Sequence, residues 1–230
     1  MLISNIAHDL KTPITAIKGY SEGILDGVAD TPEKQERYLK TIYNKANEMN
    51  TLINELTLYS NIDTNKIPYN FHKLNVKDYF TDCMEELEMD LENQHMQLTF
   101  FNYVDEDTLM IADPEQLGRV IHNIIGNAIK YGAEGKRILV KVMADTDEVQ
   151  VSVTNYGYVI PAEELPLIFD KFYRVEQSRS THTGGTGLGL AIVKNIVDMH
   201  GGTITVKSDL NGTVFTVTLQ VDFDVDKEHF

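Results

Sequence analysis

The stretch Gly184-Gly185-Thr186-Gly187-Leu188-Gly189-Leu190 is the most informative part of the sequence, because it joins a polar run to an amphipathic helix. Residues 176–183 are polar and precede it, and the apolar pattern of residues 191–197 follows it. Glycines at this density let the backbone approach a ligand closely and turn its N–H groups towards it. A helix that begins directly after them adds a partial positive charge that suits phosphate. The stretch therefore predicts a phosphate-binding loop, although a flexible hinge or a tight turn would use the same glycines.

Length and composition indicate a soluble globular protein with room for one large or two small domains. The chain has 230 residues, of which 42% are hydrophobic and 24% are charged. Its 35 acidic residues outnumber 20 basic ones and give a net charge of −15, which disfavours binding to nucleic acid or to anionic membranes. No apolar run approaches the roughly 20 residues of a membrane span. The single cysteine cannot form an internal disulfide, so we expect a cytoplasmic protein.

The first part of the chain predicts a hairpin of two helices. Apolar residues recur in steps of three and four, the pattern of a coiled-coil seam, at Leu39, Ile42, Ala46, Met49, Ile53 and Leu56. A looser version precedes it at Ile3, Ile6, Leu10, Ile14, Ile17 and Ile24. Gly27 would end the first helix, Asp30 or Thr31 would cap the second, and Pro32 suits its first turn. Two hairpins could bury this stripe in a dimeric four-helix bundle, or another part of the same chain could cover it.

Beyond residue 64 the pattern changes to alternating strands and helices. We place the hairpin domain at residues 1–64, a linker at 65–73, a second domain at 74–222 and a tail at 223–230. Strands are predicted at 97–104, 137–143, 149–154, 203–207 and 213–221, and helices at 77–93, 114–131 and 188–200. Helices interspersed with strands favour an α/β sandwich, so the fold class is α+β, with the helical hairpin first.

Four further motifs accompany the glycine stretch. They are IAHDLKTP at residues 6–13, RVIHNIIGNAIKY at 119–131, NYGYVIP at 155–161 and IFDKFYR at 168–174. In this order the five motifs resemble the H, N, G1, F and G2 boxes of two-component sensor histidine kinases, over about residues 2–221. The resemblance implies the ATP-binding fold shared with type II topoisomerases, heat-shock 90 chaperones and mismatch-repair ATPases. In that family a longer helix and a sensor precede the H box, so we expect a fragment whose membrane attachment lies in a missing N-terminal region.

His8 lies between the seam positions Ile6 and Leu10, so on a helix it points away from the seam. A neutral imidazole can attack a phosphoryl group, and a neighbouring carboxylate, here Asp9, can hold its tautomer. The resemblance implies that His8 is the phosphoacceptor and that Thr12 positions water for dephosphorylating a response regulator. Without the other motifs, each would be an ordinary exposed helix residue.

The motif at 119–131 places Asn123, Asn127 and Lys130 on one helical face. Phosphoryl transfer requires positioning, neutralisation of charge and usually Mg²⁺, which takes few protein oxygens. By resemblance, Asn127 is the magnesium ligand, Asn123 an accessory polar contact, Lys130 a phosphate contact and Tyr131 a wall for adenine. The residues alone leave open a helix cap with a solvated face.

The motifs at 168–174 and 184–190 would enclose the phosphates. By resemblance, the aromatic residues of the first motif anchor a lid formed by residues 176–183. Lys171 and Arg174 are assigned to nucleotide binding, and the planar donors of an arginine suit a phosphoryl group. The glycine stretch contributes Gly185, Thr186, Gly187, Leu188 and Gly189.

The G1 block departs from the family pattern Asp-x-Gly-x-Gly. Asn155 stands at the aspartate position, Gly157 is kept, and Val159 replaces the second glycine. The family aspartate accepts a hydrogen bond from the adenine amino group, and the carbonyl of Asn155 can also accept one, without the assistance of charge. A β-branched residue disfavours positive φ, so the turn at Val159 should be built differently.

The resemblance implies an ATP- and Mg²⁺-dependent kinase that phosphorylates its own His8 and passes the phosphoryl group to a response-regulator receiver domain, as a homodimer. Two alternatives stay open at this stage. The G1 departure would fit a weak kinase that acts mainly as a regulator phosphatase or nucleotide sensor. A non-catalytic dimerisation and docking module is the other, but such a module would have no need of His8 or Asn127.

Overall fold

The computed structural model describes residues 2–63, 69–93, 95–132, 135–175 and 186–222. Contacts along the backbone divide the chain into two units. The first consists of Met1–Lys66 with Gly184–Leu188, and the second of Ile67–Thr183 with Gly189–Phe230. Among the helices that these ranges contain, none is both long and apolar enough to cross a bilayer.

The first unit contains the predicted hairpin. Helix α1 spans Leu2–Leu25, and helix α2 spans Pro32–Asp63. Between them Gly27 has a φ of 73°, and Thr31 Oγ1 accepts the Lys34 N–H at 3.2 Å, so Thr31 caps α2. Near this turn the helices approach closely, since a Cβ on Gly23 would lie 2.8 Å from the ring of Tyr38. The hairpin is therefore confirmed, and α1 runs through Pro13 as one helix.

The apolar stripe of the hairpin is only partly buried among the described residues. Ile14 and Ile53 are each 48% exposed, and Leu39 is 58% exposed. Ala46 is also exposed. Several other predicted seam residues are only half-buried, namely Leu10, Ile17, Ile24, Ile42, Met49 and Leu56. The first unit thus does not bury its own seam, and the dimeric bundle remains a prediction.

The second unit is built on a five-stranded mixed sheet. Its elements are β1 His72–Asn75, α3 Val76–Asn93, β2 Gln97–Asn102, β3 Leu109–Ala112, α4 Pro114–Tyr131, β4 Arg137–Ala144, β5 Glu148–Asn155, α5 Gly189–Met199, β6 Thr203–Asp209 and β7 Gly212–Gln220. The strand order is β2-β4-β5-β7-β6, in which β2 is parallel to β4 and the other neighbours are antiparallel. Strands β1 and β3 form a separate antiparallel pair that the sequence did not predict, and β1 begins inside the range assigned to the linker.

The core of the second unit lies between the sheet and its helices. Strands β4, β5 and β7 bury every second residue, as expected for a sheet covered on one face. Helix α4 contacts β4, β5 and α5, and its buried apolar residues are Leu117, Val120, Ile121, Ile124, Ile125 and Ala128. A helical hairpin followed by a mixed α/β sheet, the predicted fold class, is confirmed.

Candidate active site

An aspartate directly ahead of a proline fixes the start of α4. The carboxylate of Asp113 accepts the N–H groups of Glu115 and Gln116 through Oδ1, each at 3.0 Å, and Pro114 occupies the first turn. Its Oδ2 accepts the Asn70 N–H at 2.7 Å. Asp113 was not among the predicted residues, although an Asp-Pro pair before an apolar pattern is a helix-start signal. This cap fixes the N-terminal end of the helix that carries the predicted nucleotide contacts.

The predicted nucleotide residues on α4 lie at the edge of its buried face. Asn123, Asn127, Lys130 and Tyr131 are all half-buried. The amide of Asn123 donates to the Arg119 carbonyl at 2.9 Å, so this side chain turns back along the helix. The Lys130 ammonium lies 5.2 Å from the centroid of the Tyr131 ring, which is within the range of a cation–π contact.

The G1 block lies against the C-terminal end of α4. A Cβ on Gly157 would lie 2.5 Å from the Tyr131 carbonyl oxygen, so a larger residue would force the backbone to move. A Cβ on Gly132 would lie 2.9 Å from the Cβ of Asn155, the last residue of β5, which is only 3% exposed. The fold thus brings together Tyr131 and Asn155, the two residues predicted to contact adenine, and Gly157, the glycine of the G1 block that was predicted to bind nucleotide.

The turn after Gly157 does not use a positive φ at Val159. Among the described residues other than glycine, positive φ occurs at His95, Lys136 and Phe172. Instead, hydroxyl groups of the β6–β7 hairpin hold the loop. Ser208 Oγ accepts the Ile160 N–H at 2.9 Å and lies 2.6 Å from Thr213 Oγ1, which donates to the Tyr158 carbonyl at 3.5 Å. Neither Ser208 nor Thr213 lies in a motif, so their role in this loop was not predicted.

The start of α5 lies against the side chain of Asn123. Gly189 is the first residue of this helix, and a Cβ there would lie 3.0 Å from Asn123 Oδ1. That separation is tighter than ordinary van der Waals contact, so the neighbouring amide would have to move to admit an alanine. The glycine stretch and the motif on α4, which are far apart in sequence, therefore come close together where Gly189 faces Asn123.

Three described residues of the glycine stretch, Thr186, Gly187 and Leu188, belong to the first unit. Gly187 has a φ of 71°, in the left-handed region. The Thr186 hydroxyl accepts the Leu188 N–H at 3.0 Å and donates to the Glu55 carboxylate of α2. Thr186 and Leu188 are both buried. Gly185 lies outside the described residues.

The motif at 168–174 is attached to the sheet by its first aromatic residue. The ring of Phe169 lies perpendicular to that of the buried Phe215, with centroids 6.5 Å apart. Tyr173 donates its hydroxyl hydrogen to the Glu164 carboxylate at 2.8 Å. Lys171 is exposed and Arg174 is half-buried. The predicted lid, residues 176–183, lies outside the described part of the chain.

The predicted phosphoacceptor lies on α1 in the first unit. His8 and Asp9 belong to the regular part of this helix, but their side chains are outside the described set. Thr12 is exposed on the same helix. The structure therefore gives the backbone position of His8, and its role stays a prediction.

Comparison with known proteins agrees with this geometry. Residues 112–222 match the model of the histidine kinase-, DNA gyrase B- and HSP90-like ATPase family, and residues 1–65 match that of the His Kinase A (phospho-acceptor) domain. The sensor histidine kinase WalK of Bacillus subtilis is 33% identical over 220 residues, which are 94% of this chain and 36% of WalK. The histidine protein kinase SaeS of Staphylococcus epidermidis is 32% identical over 222 residues, which are 95% of this chain and 62% of SaeS. The chain thus spans less than two thirds of these relatives.

Solved structures show the same architecture. The histidine kinase AdeS of Acinetobacter baumannii superposes with a TM-score of 0.74 at 23% identity, over 94% of this chain and 98% of that one. The histidine kinase ThkA, crystallised in complex with the response regulator TrrA, gives a TM-score of 0.73 at 26% identity, over 98% of this chain and 62% of that one. The chain belongs to the sensor histidine kinases, with a phosphoacceptor domain followed by an ATPase domain, as the sequence predicted.

Proposed function

We propose that this protein is an ATP-dependent histidine kinase that phosphorylates its own His8 and passes the phosphoryl group to a response regulator. The observation that supports the proposal most strongly is the convergence of three motifs on α4. Gly189 lies against Asn123, and Gly157 lies against Tyr131, so closely that a Cβ at either glycine would crowd its neighbour. A protein that only binds partners would have no need for glycines packed this closely against a helix face that carries two amides and an ammonium group.

The residues beside α4 fit ATP together with Mg²⁺. Asn127 offers an amide oxygen, a ligand type that Mg²⁺ accepts, and Lys130 supplies positive charge for phosphate. The carbonyl of Asn155, almost fully buried at the end of β5, would accept a hydrogen bond from the adenine amino group. Mg²⁺, when bound, would neutralise negative charge on the phosphates. Mg²⁺ use and these individual roles are part of the proposal.

The proposed chemistry consists of two phosphoryl transfers. A lone pair on an imidazole nitrogen of His8 forms a bond to the γ-phosphorus of ATP, while the bond to the β,γ-bridging oxygen breaks and ADP leaves. Asp9 holds the reactive tautomer before the attack, and the phosphorylated imidazolium then gives the proton of its other nitrogen to solvent. In the second transfer a carboxylate oxygen of the regulator attacks this phosphorus while the nitrogen–phosphorus bond breaks, and His8 takes a proton back from solvent, so it leaves as neutral imidazole.

We further propose that the hairpin forms a homodimer. The exposed seam positions Ile14, Leu39 and Ile53 support this, because a second hairpin would remove their apolar surface from water. A response regulator is the second proposed partner, because the relative ThkA has been crystallised with one. The chain matches only part of longer relatives named sensors, which supports its being the cytoplasmic core of a membrane-anchored sensor.

Labelling with γ-labelled ATP and Mg²⁺ tests the proposed function. We expect acid-labile label on the wild type, none on His8→Gln, and unchanged ATP affinity in that variant, because Asn127, Lys130 and Asn155 belong to a different unit from His8. His72→Gln, at an exposed histidine of β1, is the matched control and should label normally. Stoichiometric label on His8→Gln would reject His8 as the nucleophile. A wild type that binds ATP but takes no label would reject the kinase and favour the nucleotide-sensing alternative.

A further inference from the structure

A buried histidine that the proposed reaction does not use links the two helices of the candidate site. His200, which directly follows α5, is only 2% exposed. Its Nδ1 lies 2.8 Å from the Ile196 carbonyl oxygen, and its Nε2 accepts the Asp113 N–H at 3.0 Å. Since a backbone N–H can only donate, Nε2 carries no proton, and the proton resides on Nδ1. Two backbone groups thus fix a neutral imidazole in one tautomer.

Two aromatic rings from the start of the second unit enclose this imidazole. Tyr69 and Phe71 contact it edge to face, with centroids 5.9 Å and 5.0 Å from the imidazole, and stack on each other at 5.8 Å. Between them, Asn70 donates its N–H to Asp113. The same aspartate therefore caps α4, holds this segment and donates its own N–H to His200.

Burial outweighs the polar and charged groups around His200 and favours its neutral form. Burial lowers the pKa of His200, while the hydrogen bond to the Ile196 carbonyl and the carboxylate of Asp113 oppose this shift. Burial raises the pKa of Tyr69 to about 12, so this phenol is uncharged near neutral pH. On α5 itself, Asp198 forms an ion pair with Lys194.

Helices α4 and α5 pack against each other, and two of the contacts between their segments lie at opposite ends. One is the hydrogen bond between Asp113 and His200, and the other is the close approach of Asn123 and Gly189. From Asp113 to Asn123, α4 rises by about 15 Å, and from Gly189 to Met199, α5 rises by a similar amount in the opposite direction. The hydrogen bond between Asp113 and His200 at one end of the helix pair therefore also sets the distance between Asn123 and Gly189 at the other end.

We propose that His200 is a positioning residue of the nucleotide site, because its bond to Asp113 sets how far α5 can slide along α4 and so keeps Gly189 against Asn123. That the nucleotide is ATP rests on the function proposed above. Replacing His200 would leave the Asp113 N–H buried without an acceptor and would release α5 at that end. The start of α5, next to Asn123, would then lose its fixed position.

Protonation should have the same effect as replacement, because it would place an Nε2–H against the Asp113 N–H. A folded-state pKa below the usual 6.5 means that the unfolded chain binds the proton more readily. The stability contributed by neutral His200 is therefore complete above pH 6.5 and is lost as the pH falls from there towards the lowered pKa.

Binding of a non-hydrolysable ATP analogue with Mg²⁺, at a temperature where circular dichroism shows folded protein, tests this inference. His200→Leu removes the acceptor and should weaken binding about tenfold at pH 7.5, the loss expected when a buried donor is left unpaired. His200→Gln keeps a carbonyl acceptor and should bind within about threefold of wild type at pH 7.5. Between pH 7.5 and 5 its affinity should fall less than that of wild type or of the control His72→Gln.

The outcomes separate this inference from the proposed function. A folded His200→Leu protein with wild-type affinity would overturn the positioning role. If that variant does not fold, the pH comparison decides, and identical profiles for wild type and His200→Gln would overturn it. A wild type that binds no nucleotide at any pH would instead reject the ATP site.

Discussion

The two units differ in how far they bury their apolar residues. In the second unit Ile124, Ile125 and Ile192 are at most 1% exposed, whereas Leu39 and Ile53 of the hairpin are about half exposed. The ATPase unit therefore completes its core within one chain. The hairpin leaves apolar surface that a further surface must cover. The stabilities of the two units should therefore respond differently to mutation and to protein concentration.

The largest difference should appear when one apolar side chain is truncated in each unit. Ile124→Ala should lower the free energy of unfolding by about 2–5 kcal/mol, because it leaves a cavity in a closed core. Leu39→Ala should cost less than about 1 kcal/mol in dilute protein, and its cost should grow with concentration if a dimer buries Leu39. Urea denaturation at two protein concentrations measures both. Equal losses of unfolding free energy in the two variants at low protein concentration would contradict this difference between the units.

Asn127→Ala should separate function from stability within the ATPase unit. Losing a magnesium ligand should weaken Mg²⁺-dependent ATP binding at least tenfold, about 1.4–2 kcal/mol, while the unfolding free energy changes by less than about 0.5 kcal/mol. Calorimetry with and without Mg²⁺ measures the first, and denaturation the second. Asn195→Ala, at another half-buried helical asparagine, is the control. Unchanged magnesium-dependent affinity would show that Asn127 is not the ligand.

Introducing charge on the seam should weaken the dimer without unfolding the ATPase unit. Ile53→Lys should raise the dimer dissociation constant about tenfold, because two ammonium groups would enter the bundle. Tyr43→Lys makes a similar change at an exposed position outside the predicted seam and should have little effect. Light scattering at tens of micromolar measures the mass, and residues 1–63 alone should also dimerise. A monomeric wild type would refute the bundle.

The smallest expected effect concerns the departure at the G1 block. Asn155→Asp should tighten ATP binding by on the order of 1 kcal/mol, because a charged acceptor strengthens the bond to the adenine amino group. Burial of the new carboxylate and the chain's net charge of −15 both oppose this gain. Gln150→Glu adds the same charge at the other end of β5 and should not tighten binding. Unchanged or weaker affinity in Asn155→Asp would show that the pocket has adapted to asparagine.

Local signals account for the parts of the fold that were predicted correctly. Helix α4 has the predicted bounds because an Asp-Pro start and an amphipathic pattern both lie within the segment. Strands β1 and β3 were missed because each has four residues, and their pairing joins His72–Asn75 to Leu109–Ala112 across α3 and β2. Neither strand is long enough to show a clear alternation.

The motifs predicted which residues belong together but not how they meet. The sequence placed Asn123 and Gly189 in one site, yet their close approach depends on how α4 and α5 pack. His200 has no local signal, because its partner Asp113 is far away in sequence. The predicted roles of the individual site residues still await the binding measurements above.

The strand order has a consequence for the order of folding. The hairpin forms from neighbouring helices joined by a short turn, so its contacts are local and should form early. In the ATPase unit, β2 pairs in parallel with β4, and this pairing must close the chain over β3 and α4. The same strand order makes the nucleotide site a late product of folding, so refolding kinetics should show the hairpin's helical signal before nucleotide-binding competence appears.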